Sequence, residues 1–270
     1  DKMSKILRSF SAIRSVIPYA YSIAQPDVPG SLRSVFIVKS VDGSFVCKFN
    51  HRELAVKNAV AGNSLRIRGI TAPNIGIYNY NNYWMEVYPM IPGKTLYEYI
   101  GDGLSDEQIK HVYKNIVDAF AKMDSIDVSV LRDTQYKYSY QVAKTNISDA
   151  NNATFGSLFA GAVRLMNSGT AGDIGVYHCG ITPKNVLLDD NGNFKALIDL
   201  DEVAIADKNY AFAMMAAKYQ KMGYNITDLI DYYENQTGRA LNHKKIRTIT
   251  DITNMGKHIL WRGAGRIKSR

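Results

Sequence analysis

Two carboxylates and an amide in the last third of the chain, Asp199, Asp201 and Asn185, have the types and spacing to hold a hard divalent cation. Asn185 and Asp199 are fourteen residues apart with a hairpin signal, Asp190-Asn-Gly-Asn193, between them, so a β-hairpin brings them side by side. Asp201 lies one alternate position further along a strand-like run, Leu197-Ile-Asp-Leu-Asp201. A carboxylate among apolar residues is costly unless it is paired or metal-bound, the alternative being a capping or turn role for each. Lys48, in Val46-Cys-Lys-Phe49, is either an interior lysine able to grip phosphate oxygens or an edge-strand lysine facing solvent. Glu53 is the only acidic residue between Lys48 and Tyr83, which makes it the expected partner of that ammonium; a glutamate in a first helical turn also serves the helix dipole. The turn Gly30-Ser31-Leu-Arg-Ser34 could cover phosphates with N–H and hydroxyl groups, or be an ordinary hairpin turn. Held phosphates, a divalent metal and a positioned acceptor are what phosphoryl transfer demands of a protein.

The elements that must position these residues fall into two kinds. Residues 19–50 read as three strands, with Asp42-Gly43 as a hairpin turn, and 51–65 as a helix. A second hairpin crosses Asn81-Asn82, and Pro89-Met-Ile-Pro-Gly93 stops the sheet pattern. From Thr95 the period becomes helical: Ser105-Asp-Glu-Gln108 has the form of a capping box, followed by an apolar stripe of Ile109, Val112, Ile116, Phe120 and Met123. A polar stretch, 133–152, precedes a helical pattern over 155–166; short strands return over 176–201, and helices over 210–222, 227–236 and 246–260. The expected class is α+β, with a β-rich N-terminal lobe over 1–90 and a larger, mainly helical lobe over 91–270 holding a short hairpin.

His178-Cys-Gly-Ile-Thr-Pro183-Lys-Asn185-Val-Leu-Leu-Asp and Ile198-Asp-Leu-Asp-Glu202 resemble the catalytic loop and metal-binding segment of the aminoglycoside phosphotransferase and choline kinase-like superfamily. Tyr88-Pro-Met-Ile-Pro-Gly93 is similar to its hinge, and Ala119-Phe-Ala-Lys-Met-Asp124 to a helix that often ends in Leu-His. The resemblance runs from about residue 20 to about 215 and implies a bilobal protein kinase-like fold and an ATP-dependent kinase acting on a small-molecule hydroxyl of a sugar, aminoglycoside or amino alcohol. It implies that Lys48, held by Glu53, binds nucleotide phosphates beneath Gly30, Ser31 and Ser34. The backbone of Tyr88, Met90 and Ile91 then contacts adenine, Asn185, Asp199 and Asp201 hold Mg2+, and His178 supports the loop. The family's catalytic Asp is replaced by Gly180, and a second family Asp by Ala211. Loss of a general base costs about 10²–10⁴-fold in rate, and glycine also loosens the loop. Three explanations stand: a substitution in an otherwise active enzyme, a natural pseudokinase that binds nucleotide as a regulatory module, or a base role taken over by Asp199 or Asp201. A protein kinase is disfavoured, because no Ala-Pro-Glu segment follows Asp199.

Composition sets the outer bounds. With 46% hydrophobic and 21% charged residues the chain is globular. No apolar run reaches the roughly 18 residues of a membrane span, no signal-peptide pattern opens the chain, and two cysteines build no disulfide scaffold. A reducing cytoplasm is the expectation. Residues 239–270 carry nine Lys/Arg against Asp251 alone, as much as the whole net charge of +8. That basic end is either the solvated face of a helix or a surface for an anionic partner, such as an anionic acceptor or a lipid membrane surface; no nucleic acid is expected.

Overall fold

Alternating strands build the N-terminal half. The computed structural model describes residues 2–26, 35–81, 83–132 and 173–254. A helix α1 (Lys2–Val16) leads into β1 (Ala20–Ala24), β2 (Val35–Ser40) and β3 (Gly43–Asn50). After α2 (Arg52–Ile67) come β4 (Gly76–Tyr80) and β5 (Tyr83–Pro89). The five strands form one antiparallel sheet in the order β1-β2-β3-β5-β4. Both expected hairpins are present, with Ser40 opposite Gly43 and Tyr80 opposite Tyr83.

One face of that sheet is covered by α1, which the sequence reading did not anticipate. Ile13 and Ile17 pack against Phe36, Val38, Cys47, Met85 and Val87, and Phe10 meets Phe36 edge to face at 5.9 Å. The three- and four-residue spacing of Phe10, Ile13 and Ile17 was the available signal. Because Cys47 points into this core, the pleat turns its neighbour Lys48 to the opposite face. There Lys48 stands directly across from Glu86 of β5.

The chain then turns through Gly93, whose backbone φ of +145° and close approach to the Leu188 carbonyl leave no room for a side chain. Beyond it lie β6 (Lys94–Thr95), α3 (Leu96–Gly101), α4 (Asp106–Met123) and α5 (Ser129–Arg132). The capping box of α4 forms as expected between Ser105 and Gln108, and the stripe from Ile109 to Met123 is buried. Residues expected to form a polar stretch and a helix over 133–166 lie outside those described.

Short strands β7 (Ile174–His178), β8 (Val186–Leu188), β9 (Phe194–Leu197) and β10 (Val203–Asp207) follow, then α6 (Lys208–Lys221), α7 (Thr227–Thr237) and a helix α8 over 243–254. β7 pairs with β10, and β6-β8-β9 form a small sheet. A single turn of 3-10 helix, Leu200–Glu202, separates β9 from β10. Asp124, just past α4, binds this half together: it accepts hydrogen bonds from Tyr177 at 2.6 Å and from Tyr233, and Arg239 lies 3.1 Å from it.

The basic C-terminal end is partly structural. Ile246 and Ile249 of α8 are buried in the main core, and Lys245 forms a 2.9 Å ion pair with Asp207, both side chains being at most 2% exposed. Lys245 is thus spent internally, whereas Arg239 pairs with Asp124 from the surface, its side chain 56% exposed. Residues 255–270, with the rest of that charge, lie outside those described.

Candidate active site

The cleft-facing cation is Lys48. Its ammonium lies 2.7 Å from Asp199 Oδ1 and 2.9 Å from Asp201 Oδ1, and the residue is only 7% exposed. Here the structure departs from the sequence reading. Glu53 does not hold Lys48; it is exposed in the first turn of α2 and faces His51 at 3.2 Å. His51 caps α2, its Nδ1 accepting the Leu54 N–H, and the backbone and His51 hold the Glu53 carboxyl below its usual range. At the start of α2 the Glu53 side chain is exposed, whereas the Lys48 ammonium is buried on the face of the sheet turned toward Asp201.

Two aspartates do the holding, and they do so from a turn rather than a strand. Asp199 has a φ of +57°, one of two non-glycine residues in the left-handed region among those described. That conformation is uncommon and concentrates at functional sites. It ends the β9 alternation and starts the 3-10 turn, which is why residues 199 and 201 both reach Lys48. Asp199 keeps 46% of its side chain exposed, whereas Asp201 keeps 12%. Asp201 Oδ1 also accepts from Asn58 Nδ2 at 2.7 Å. Asp201 therefore backs the lysine, and Asp199 faces the open side.

A buried layer behind this trio escaped the sequence reading. Glu86 accepts from Asn50 at 2.5 Å and from Asn58 at 2.8 Å. Burial raises the Glu86 pKa, while Lys48 and the two amides work against the rise. Lys57 of α2 donates to the carbonyls of Leu200, Asp201 and Val203 at 2.6, 2.8 and 3.0 Å, pinning the turn that carries the aspartates. Burial draws its pKa down to about 7, opposed chiefly by Glu86. Both residues carried a signal: Glu86 is a carboxylate inside the apolar run Trp84-Met-Glu-Val, and Lys57 lies on the Leu54–Ala61 face of α2. Lys57→Met should cost about 3 kcal/mol or more, because three buried carbonyls lose their donor. Urea unfolding measures this, and a loss under about 1 kcal/mol would mean that the turn holds itself.

The loop from His178 to Asn185 is tied at each end. His178 is fully buried; its Nε2 lies 3.0 Å from the Ile198 carbonyl, and its Nδ1 accepts the Gly180 N–H at 3.2 Å. Those partners specify a neutral ring with the proton on Nε2, and burial lowers its pKa in the same sense. Asn185 Nδ2 donates to the Gly180 carbonyl at 2.9 Å, which leaves Oδ1 as the outward acceptor. The Ile198 N–H donates to the Asn185 carbonyl at 2.9 Å, placing Asn185 beside Asp199. With both backbone groups of Gly180 bonded, the loop is not loosened there, contrary to the expectation from glycine. A Cβ built on Gly180 would fall on Glu202 Oε2, 2.6 Å from its Cδ and 3.0 Å from its Cβ.

At the expected hinge, the Met90 N–H donates to the Ser44 carbonyl at 2.8 Å, so it is not a donor for a bound base. Tyr88 is half-buried, and its phenol pKa is raised by that burial. Gly30, Ser31 and Ser34 lie outside the described residues. Among the described residues no cluster of three or more His, Cys, Asp or Glu is assembled; of the expected cation set, Asp199 and the Asn185 amide are left for an ion, with Asp201 turned to Lys48 and Asn58. No helix among them is long and apolar enough to cross a membrane.

A family model described as the phosphotransferase enzyme family, APH, matches residues 24–235. Several solved structures share the fold. Aminoglycoside phosphotransferase APH(3'')-Id from Streptomyces rimosus is 15% identical, with a TM-score of 0.65 over 92% of this chain and 97% of that one. APH(2")-IIia, solved with GDP and kanamycin, is 12% identical, with a TM-score of 0.69 over 97% and 93%. Macrolide 2'-phosphotransferase MphH from Brachybacterium faecium is 13% identical, with a TM-score of 0.62 over 95% and 92%. No curated protein matches the chain. The fold is thus the expected α+β, bilobal protein kinase-like one.

Proposed function

The chain belongs to the phosphotransferase enzyme family, and from that premise we propose that it transfers the γ-phosphoryl group of ATP to a hydroxyl of a small molecule, a sugar, an aminoglycoside or an amino alcohol. The observation that carries this reading is the Lys48 ammonium held between Asp199 and Asp201 on the face of the sheet turned away from α1. A cation fixed in this way, with a carboxylate on its open side, suits a nucleotide polyphosphate and its metal.

In this reading Lys48 binds the phosphates, the backbone at Tyr88 and Ile91 receives the adenine, and Asp199 with Asn185 would hold Mg2+. The donor set fits a hard cation: Asp199 is the exposed carboxylate, and the Asn185 amide is turned by its bond to Gly180 so that its oxygen is the acceptor. Bound there, magnesium would neutralise charge on the phosphate oxygens. Asp201 acts through Lys48 and Asn58, and His178 supports the loop. The division at residues 90 and 91 into a nucleotide lobe and an acceptor lobe, and a cytoplasmic location, belong to the same proposal.

Saturating ATP with magnesium, at about 100 times its Kd, should add about 2.7 kcal/mol and raise Tm by about 5–10 °C. Labelled phosphate should appear on at least one compound in a panel of sugars, aminoglycosides, macrolides and amino alcohols. No shift with ATP or GTP would sink the nucleotide reading. A shift without transfer would favour the second reading, a nucleotide-binding pseudokinase, which rests on Gly180.

A further inference from the structure

We propose that Glu202 supplies the carboxylate missing at Gly180, orienting the acceptor hydroxyl and taking its proton. This rests on the phosphotransferase reading above. The position of Gly180 in the loop is where the family resemblance places a catalytic aspartate. In this structure that space is filled: the first carbon of any side chain at residue 180 would fall on Glu202 Oε2. A carboxylate is therefore present against the loop, delivered from residue 202 instead of residue 180.

Three features fix it there. The Cys179 N–H donates to the Glu202 carbonyl at 2.9 Å, joining the two segments at the residue before Gly180. Glu202 closes the 3-10 turn that starts from Asp199, so the proton acceptor and the phosphate-side carboxylate share one turn. Lys57 pins the carbonyls on both sides of it, at residues 201 and 203. The residue is half-buried and so remains reachable by an acceptor. Asp199 and Asp201 both meet Lys48, on the phosphate side of the turn. Gly180 and Glu202 are thus sterically coupled: a glycine at 180 is what lets Glu202 stand where it does.

In the proposed step the acceptor oxygen forms its bond to the γ-phosphorus as its O–H bond breaks. The electron pair of that bond stays on oxygen and the proton passes to Glu202 Oε2. The bond from phosphorus to the bridging oxygen breaks, and its electron pair leaves with ADP. Glu202 then returns its proton to water.

The test compares wild type, Glu202→Gln, Glu202→Ala, Gly180→Asp and the double variant Gly180→Asp/Glu202→Ala, using ATP with magnesium and, as acceptors, water and the hydroxyl panel. Glu202→Gln and Glu202→Ala should each lower kcat by about 10²–10⁴-fold with nucleotide Kd changed by less than about threefold. The double variant should recover at least about tenfold over Glu202→Ala, because the aspartate enters the vacated space, while Gly180→Asp alone should be no faster than wild type. Glu202→Gln preserves size, so its melting temperature separates a folding defect from a chemical one. Full activity in folded Glu202→Gln would overturn the proposal, as would a double variant no better than Glu202→Ala. A wild type that binds ATP yet transfers to neither water nor any panel member overturns it too, leaving nucleotide binding standing. A wild type that fails to bind ATP overturns the functional reading itself.

Discussion

Lys48→Met should reduce phosphoryl transfer by about 10²–10³-fold, the usual loss when one fixed charge donor is taken from a transferring group. Methionine keeps the length and the apolar stem, so the sheet register opposite Val35 and Glu86 survives. What disappears is the cation that, among the described residues, Asp199 and Asp201 share. Without it two carboxylates face each other, which raises the proton affinity of one of them and opposes the approach of a polyphosphate. The cost in stability should be smaller, since Asp199 is 46% exposed and water screens its charge. Lys48→Arg is not expected to rescue activity, because the planar guanidinium does not reproduce a point charge between two oxygens. Turnover under saturating ATP and the nucleotide-induced Tm shift check this together; transfer within about threefold of wild type would remove Lys48 from the phosphate site.

The largest effect on stability is expected far from the chemistry. Lys245→Met should destabilise the fold by about 3–5 kcal/mol, the cost of leaving a buried charge without its partner. Asp207 is 2% exposed at its side chain and has a second task, accepting the Tyr210 N–H at 3.1 Å as the cap of α6. Adding Asp207→Asn to Lys245→Met should restore much of the loss, because asparagine keeps the cap and removes the charge. Urea unfolding of the three variants decides it. A loss under about 1 kcal/mol in the single variant would mean that Asp207 finds water or another cation.

These two lysines mark how far the sequence could be read. Lys48 stood out because a lysine in an apolar strand needs a reason, and the pleat did turn it away from the core packed on α1. Its partner was misread because nearness in sequence stood in for nearness in space. Glu53 is five residues away but lies at the wrong end of a helix; Asp199 and Asp201 are about 150 residues away and touch it. Lys245 belonged to a run of charge that sequence counting treats as one surface, yet burial against Asp207 removes it from that surface.

Local pattern sufficed wherever the cause is local. The hairpins at Asp42-Gly43 and Asn81-Asn82, the capping box at Ser105 and the apolar stripe of α4 follow from turn chemistry and helical period, which act over a few residues. The family, too, was legible in the resemblance of the His178–Asp189 and Ile198–Glu202 segments to its loops. Tertiary structure alone decided which charges meet, because ion pairs and buried amides depend on contacts that no short window contains. The left-handed turn at Asp199, the three carbonyls on Lys57 and the filling of the Gly180 space by Glu202 are of that kind. At residue 180 the sequence shows only a glycine; the Glu202 carboxylate beside it appears only once β10 is folded back against β7.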